Sequence, residues 1–364
     1  MRACTRIAVN LDSLSREILN QLVKGGHVEY RSLGNSGLQV SLSGIGTNPF
    51  GLKMGEAEVT AVVNEALDQG VTLFDTADHY SEGAAETLIG KALGRRRHEA
   101  VIASKFGWNM EGVTYQAKGS RHYMHWAVEQ SLRRLNTDYI DLYQYHRPDN
   151  ITPIEETLDA LDDLVRAGKV RYVGCSNFEG WRIADAHWTA RSRNTNHFVS
   201  AQNRWSLMSR DVEADVIPAC ERFGLGMLPY SPLMGGMLTG KYKRGQEHPQ
   251  GSRLALFKEA ATNPDVLMTT DRHWPFRAPE FERRTASDAN FDVVERLTAY
   301  AEERGHTTHE LAIGWLASKP VVSSVIAGAT TPEQVRANAA AVEAWRLSAE
   351  ESDEVAAVLR GDSA

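Results

Sequence analysis

From Val40 onward the chain alternates short β-branched and aromatic runs with longer stretches whose apolar residues recur every three or four positions. The first pair is LSGIG (42–46) followed by residues 56–70, where Val59, Val62, Val63 and Leu67 make one helical face that Gly70 ends. The rhythm continues through TLFDTAD, AVIASKF, YIDLYQYH, VRYVGCSN, SAQNRWSL, GMLPYSPL and SSVIAG, each followed by a stretch of helical periodicity; Pro153 stands where a first helical turn accepts it. Eight such units predict an α/β fold, a (β/α)₈ TIM barrel with long loops at its C-terminal face. An open dinucleotide-binding sheet has about six strands and a Gly-rich first turn, and no G-x-G-x-x-G follows the first strand here.

Two segments fall outside the repeat. Residues 241–290 are polar and rich in Pro, Gly and Arg, and read as a long functional loop, while HTTHELAIGWLASKP (306–320) reads as an extra helix before strand eight. Residues 1–27 read as an N-terminal extension, helical or disordered, because Asp12 and Glu17 interrupt their apolar stretch and no small-residue cleavage site follows. Residues 28–364 then make a single barrel domain.

Composition narrows the partners. A net charge of −7 over 364 residues argues against a surface built for nucleic acid or anionic lipid. No window approaches the roughly 20 apolar residues that span a bilayer. Cys4, Cys175 and Cys220 are scattered, with neither disulfide nor zinc spacing, which suits a reducing cytoplasm.

In a barrel the chemistry sits where strands run into their C-terminal loops. Strand two puts Asp75 at its end and Tyr80 in the loop beyond, strand three ends at Lys105, and strand four ends at His146. A lysine among Ala, Ile and Phe needs a carboxylate when buried, and Asp75 on the neighbouring strand is the candidate. An ammonium near Tyr80 would favour the phenolate and make the tyrosine a usable acid, with His146 orienting a carbonyl oxygen. Trp108, Phe178 and Trp205 lie on loops at the same mouth and are candidates for an aromatic substrate pocket, Trp205 foremost.

With these four residues in this order, the chain resembles the aldo-keto reductases, in the branch that includes aryl-alcohol dehydrogenases and potassium-channel β subunits, from about Glu29 to the C-terminal helix. The resemblance implies reversible NADPH-dependent reduction of an aldehyde or ketone, with Asp75, Tyr80, Lys105 and His146 as the catalytic tetrad and Tyr80 as general acid. It further implies that Ser176, Asn177 and Gln202 hold the nicotinamide carboxamide and that Tyr230 stacks on the ring. Ser231, Leu233 and Gly235 would strap the pyrophosphate, Lys241 and Arg253 would fasten a loop over the dinucleotide, and Gly328, Thr330, Gln334 and Asn338 would receive the adenosine 2′-phosphate. The chain departs from the family at the last group, where Gly328, Gln334 and Ala337 stand in place of a Lys or Arg and a Glu, so NADH is not excluded; Arg336 either substitutes or points to solvent. Two competing readings remain: a nucleotide-binding redox sensor with little turnover, as in the channel subunits, and a metal-dependent barrel hydrolase using Asp78, His79 and His146. No metal is expected for the reductase or the redox sensor.

Overall fold

Alternation along the strands explains how the chain fills a ring. In the computed structural model, which describes residues 28–108, 110, 112–259 and 278–362, eight parallel strands follow one another. They are β3 (Ser43–Gly46), β4 (Leu73–Asp75), β5 (Val101–Phe106), β6 (Ile140–Tyr145), β7 (Val170–Ser176), β8 (Ser200–Gln202), β9 (Gly226–Met227) and β10 (Val325–Gly328). β10 pairs in parallel with β3, and bridges from Met227 to Val322 and from Tyr230 to Ile326 join the β9 end back to β10, so the ring closes. Successive residues of a strand point to opposite faces. The outward set, with Phe74, Ile102, Tyr143 and Cys175, joins the large core beneath the helices, whereas Leu73, Ala103 and Leu142 meet inside the ring.

A hairpin plugs the lower end of that interior. β1 (Tyr30–Ser32) and β2 (Gln39–Ser41) pair antiparallel, and Leu33 and Val40 pack with Leu73, Ala103, Leu142, Leu228 and Ile326. The Arg31 guanidinium donates to the carbonyls of Ala317, Lys319 and Val322, tying the hairpin to the segment ahead of β10. The periodic pattern that marks the strands gave no sign of this hairpin, whose strands are only three residues each.

The predicted helices surround the ring: α1 (Glu56–Asp68), α2 (Ala84–Leu93), α3 (Arg121–Leu135), α4 (Ile154–Arg166), α5 (Gly180–Arg193) and α6 (Val216–Phe223). The segment read as a long loop at 241–290 carries two short helices, α7 (Arg253–Glu259) and α8 (Ala278–Thr285); the part between them lies outside the described residues, as does the 1–27 extension. Then come α9 (Asp288–Glu303), the extra helix α10 (Thr308–Ala317), α11 (Pro332–Ala344) and α12 (Ala349–Arg360). Thr307 and Glu310 make a reciprocal capping box on α10, which fixes where that helix starts. None of the described helices is long and apolar enough to cross a membrane.

Candidate active site

Two residues beyond each lower-layer side chain, the same inward face comes round again at the upper end of the strands. Leu73 leads to Asp75, Ala103 to Lys105, Leu142 to Gln144 and Ser200 to Gln202, so the period of two that fills the ring's lower half with apolar groups delivers polar groups to its top. Lys105 is fully buried and Asp75 is 3% exposed. The Lys105 Nζ lies 2.8 Å from each Asp75 carboxylate oxygen, donates to the Thr76 carbonyl at 2.8 Å and reaches the Tyr80 hydroxyl at 3.3 Å. Burial pushes the ammonium below its usual value and the Asp75 charge opposes that shift. Asp75 is held in turn by the Gln202 amide, which donates to Oδ1 at 2.7 Å.

Tyr80 starts a short 3₁₀ turn, Tyr80–Gly83, in which Ser81 and Glu82 both adopt left-handed backbone (φ 50° and 52°). The Ser81 hydroxyl donates to the Phe50 carbonyl at 2.8 Å, anchoring the turn to the loop after β3. His146 follows β6, and its amide donates to the Phe106 carbonyl. Burial, His79 and Lys105 together push its imidazole well below its usual value, so the ring is neutral at neutral pH. Its Nδ1 has no hydrogen-bond partner among the described residues. The Tyr80 and His146 rings stand edge to face with centroids 6.1 Å apart.

Of the three aromatic candidates, Trp108 joins this group, its ring 4.9 Å from His146 and 5.4 Å from His79. The other two pack into the wall. Trp205 is 2% exposed, donates its indole N–H to Glu213 at 2.9 Å and meets Trp315 edge-on, while Phe178 lies against Tyr145 and Phe198.

The groups expected to hold a cofactor line the same end. Ser176 ends β7 and Asn177 follows in left-handed backbone (φ 57°), with its amide nitrogen donating to Ser176 Oγ and to the His146 carbonyl. The Tyr230 hydroxyl donates to Asn177 Oδ1 at 2.8 Å. Beyond Tyr230 the backbone turns left-handed at Ser231, Met234, Gly235 and Gly236 around Leu233, with the Met234 and Gly236 amides donating to the Ser231 and Leu233 carbonyls. Lys241 folds over Gly236, and Arg253 lies against Phe257 and Phe281. A third cation, Lys53 in the loop after β3, completes the group: burial together with Arg253 and Lys241 lowers it to about 8. Sequence reasoning passed over Lys53, which stands in a loop with no periodic pattern. Three cations beside this glycine-rich turn suit a pyrophosphate or phosphomonoester.

At the N-terminus of α11, Thr331 caps the helix and the Gln334 side chain accepts from the Thr330 amide at 2.9 Å. Asn338 is 4% exposed and bonded to His309 at 2.9 Å, with its amide 3.5 Å from the Gly328 carbonyl. Arg336 is engaged elsewhere, paired with Glu65 at 2.7 Å and Glu333 at 2.8 Å on the helix surface. Among the described residues no group of three or more His, Cys, Asp or Glu side chains is arranged to hold a metal ion, so Asp78, His79 and His146 do not make a ligand set.

Known proteins resemble the chain along most of its length. The model of the aldo/keto reductase family matches residues 44–360. The uncharacterized oxidoreductase YrpG of Bacillus subtilis (strain 168) is 35% identical, covering 87% of this chain and 91% of its own. A probable voltage-gated potassium channel subunit beta of Oryza sativa subsp. japonica is 34% identical over 92% and 97% of the two chains. Probable aldo-keto reductase 1 of Glycine max is 33% identical over 91% and 89%. An eight-stranded parallel barrel with an Asp, Lys and Tyr joined at its upper end, matched along most of its length by that model, places this chain in the aldo/keto reductase family.

Proposed function

We propose that the protein reduces an aldehyde or ketone to the alcohol with NADPH, Tyr80 giving the proton to the carbonyl oxygen. The observation that carries this reading is the buried Lys105 ammonium, which touches both Asp75 oxygens at 2.8 Å and the Tyr80 hydroxyl at 3.3 Å. A cation at that distance favours the phenolate over the phenol, so the hydroxyl parts with its proton more readily than a solvated tyrosine does. His146, neutral and beside the phenol, would hydrogen-bond the carbonyl oxygen and hold it toward Tyr80.

A bound nicotinamide supplies the hydride. Ser176, Asn177 and Gln202 would hold its carboxamide and Tyr230 its ring face, while Lys53, Lys241 and Arg253 would meet the phosphates beneath the strap at Ser231, Leu233 and Gly235. Gly328, Thr330, Gln334 and Asn338 would receive the adenosine end. Because Arg336 is paired with Glu65 and Glu333, selection for the 2′-phosphate falls to the α11 N-terminus, and some use of NADH is expected.

The Tyr80→Phe variant should lose nearly all turnover, at least about a thousandfold, while its NADPH affinity, read by cofactor fluorescence, stays within about twofold. Turnover near the wild-type rate would exclude Tyr80 as the proton donor. The rice relative is named a probable channel subunit beta, and the second reading is a nucleotide-binding subunit with little turnover; oxidation of NADPH by a generic aldehyde separates the two.

A further inference from the structure

Where the strands begin, at the end of the ring away from Tyr80 and Lys105, the surface reverses the sign of the molecule's charge. A cavity of about 850 Å³ opens there, a size within the range of roughly 300–1,000 Å³ typical of small-molecule sites. It lies between the 3₁₀ turn Gly94–Glu99 that follows α2, the end of α3 and the residues leading into β6 and β7. Arg95, Arg97, His98, Arg133 and Lys169 line it, against the two acids Glu129 and Asp138. The chain as a whole carries a net charge of −7.

Two of these cations are matched where they stand. Lys169 pairs with Glu129. Arg97 pairs with Asp141 at 2.8 Å and donates to the carbonyls of Ala100 and Tyr139, which fixes its guanidinium 4.2 Å from the centre of the Tyr139 ring. Arg171 of β7 lies over the same ring at 4.5 Å. Arg95, Arg133 and Arg171 are exposed and pair with no carboxylate among the described residues. A helix C-terminus attracts cations within its last turn, and that accounts for Arg133 at the end of α3. Arg95 and Arg171 come from other elements. Guanidiniums brought together from three elements repel one another until an anion lies among them.

A guanidinium grips a phosphate through two parallel N–H bonds. Three of them around one hollow suit several phosphates in a row better than a single one. The tyrosine of the cavity already carries two guanidiniums and offers no ring for a nucleobase to stack on. We propose that this cavity is a second ligand site, which binds a chain of phosphates through Arg95, Arg133 and Arg171. The chain is that of a free polyphosphate or of a nucleoside triphosphate, and the site is independent of the carbonyl-reductase reading.

The test is calorimetric titration of the full chain with inorganic tripolyphosphate and, separately, with ATP, each without divalent metal and with and without saturating NADPH. One equivalent of tripolyphosphate should bind in both conditions, more weakly as the salt rises from about 50 to 300 mM. ATP should bind within about threefold of it; ATP tighter by about tenfold or more would show a recognised base and overturn the phosphate-chain class. The Arg95→Glu/Arg133→Glu variant should bind tripolyphosphate at least about tenfold more weakly, with its melting temperature and NADPH affinity unchanged. Hydrogen exchange of the wild type should slow with tripolyphosphate at residues 94–99 and 133–139, which locates the ligand even where the variant does not fold. No binding at about 1 mM tripolyphosphate, binding unchanged in the variant, or slowed exchange confined to other segments overturns the proposal.

Discussion

Lys105 is a fully buried ammonium, and an ion so placed persists because its partner is in contact with it. Replacing that partner shows what the contact does. In Asp75→Asn the burial of Lys105 acts without its main opposing charge, so Lys105 should lose its proton at a lower pH than in the wild type. The remaining activity should fall about a hundredfold or more at pH 7 and shift its profile toward acid, as a pH–rate series would record. Asp78 responds in the opposite sense. Its carboxyl is raised in the folded protein from 3.8 to about 7, so the stability it permits is complete below the unfolded value and is lost as pH rises through 7. Asp78→Asn should therefore melt several degrees above the wild type at pH 8 and lose that advantage toward pH 4, which thermal melts at the two pH values would check.

Between residues and the whole barrel lie contacts that set how elements approach. A Cβ on Gly90 of α2 would sit 2.4 Å from the Leu135 carbonyl at the end of α3, so Gly90→Ala must push the two helices apart. We expect a loss of about 1–3 kcal/mol in chemical denaturation, although alanine is the better helix former. The loop after β3 and the strap beyond Tyr230 are coupled through charge, with Lys53 lowered to about 8 by burial, Arg253 and Lys241. A bound phosphate favours the protonated lysine, so NADPH affinity should weaken as pH rises through 8, and Lys53→Met should remove that part of the pH dependence in fluorescence titrations. Which of these elements can be read from the sequence depends on periodicity. Asp75, Lys105 and His146 stand at strand ends that alternation marks, and Tyr80 follows at a short interval. The hairpin at Tyr30–Ser41 has strands too short to show a period. Lys53 sits in an aperiodic loop and acquires its meaning from residues about 190 and 200 positions away. The aromatic residues Phe178 and Trp205 follow barrel strands just as Trp108 does, and only packing separates the ring that faces the site from the two that face the core.

At the scale of the whole molecule, the ring closes by joining its first strand to its last. β3 at residues 43–46 pairs with β10 at 325–328, a separation that includes most of the chain, and the β9 side of the seam has only two strand residues and a pair of isolated bridges. The hairpin plug is fastened across the same gap by Arg31 to the carbonyls of Ala317, Lys319 and Val322. During synthesis, then, the residues through His146 emerge long before the barrel that will enclose them can shut. Contacts of such long sequence separation form slowly and late. The seam beside β3 cannot close until β10 has been made, so the ring that encloses Lys105 and Asp75 is completed only by nearly the last strand of the chain.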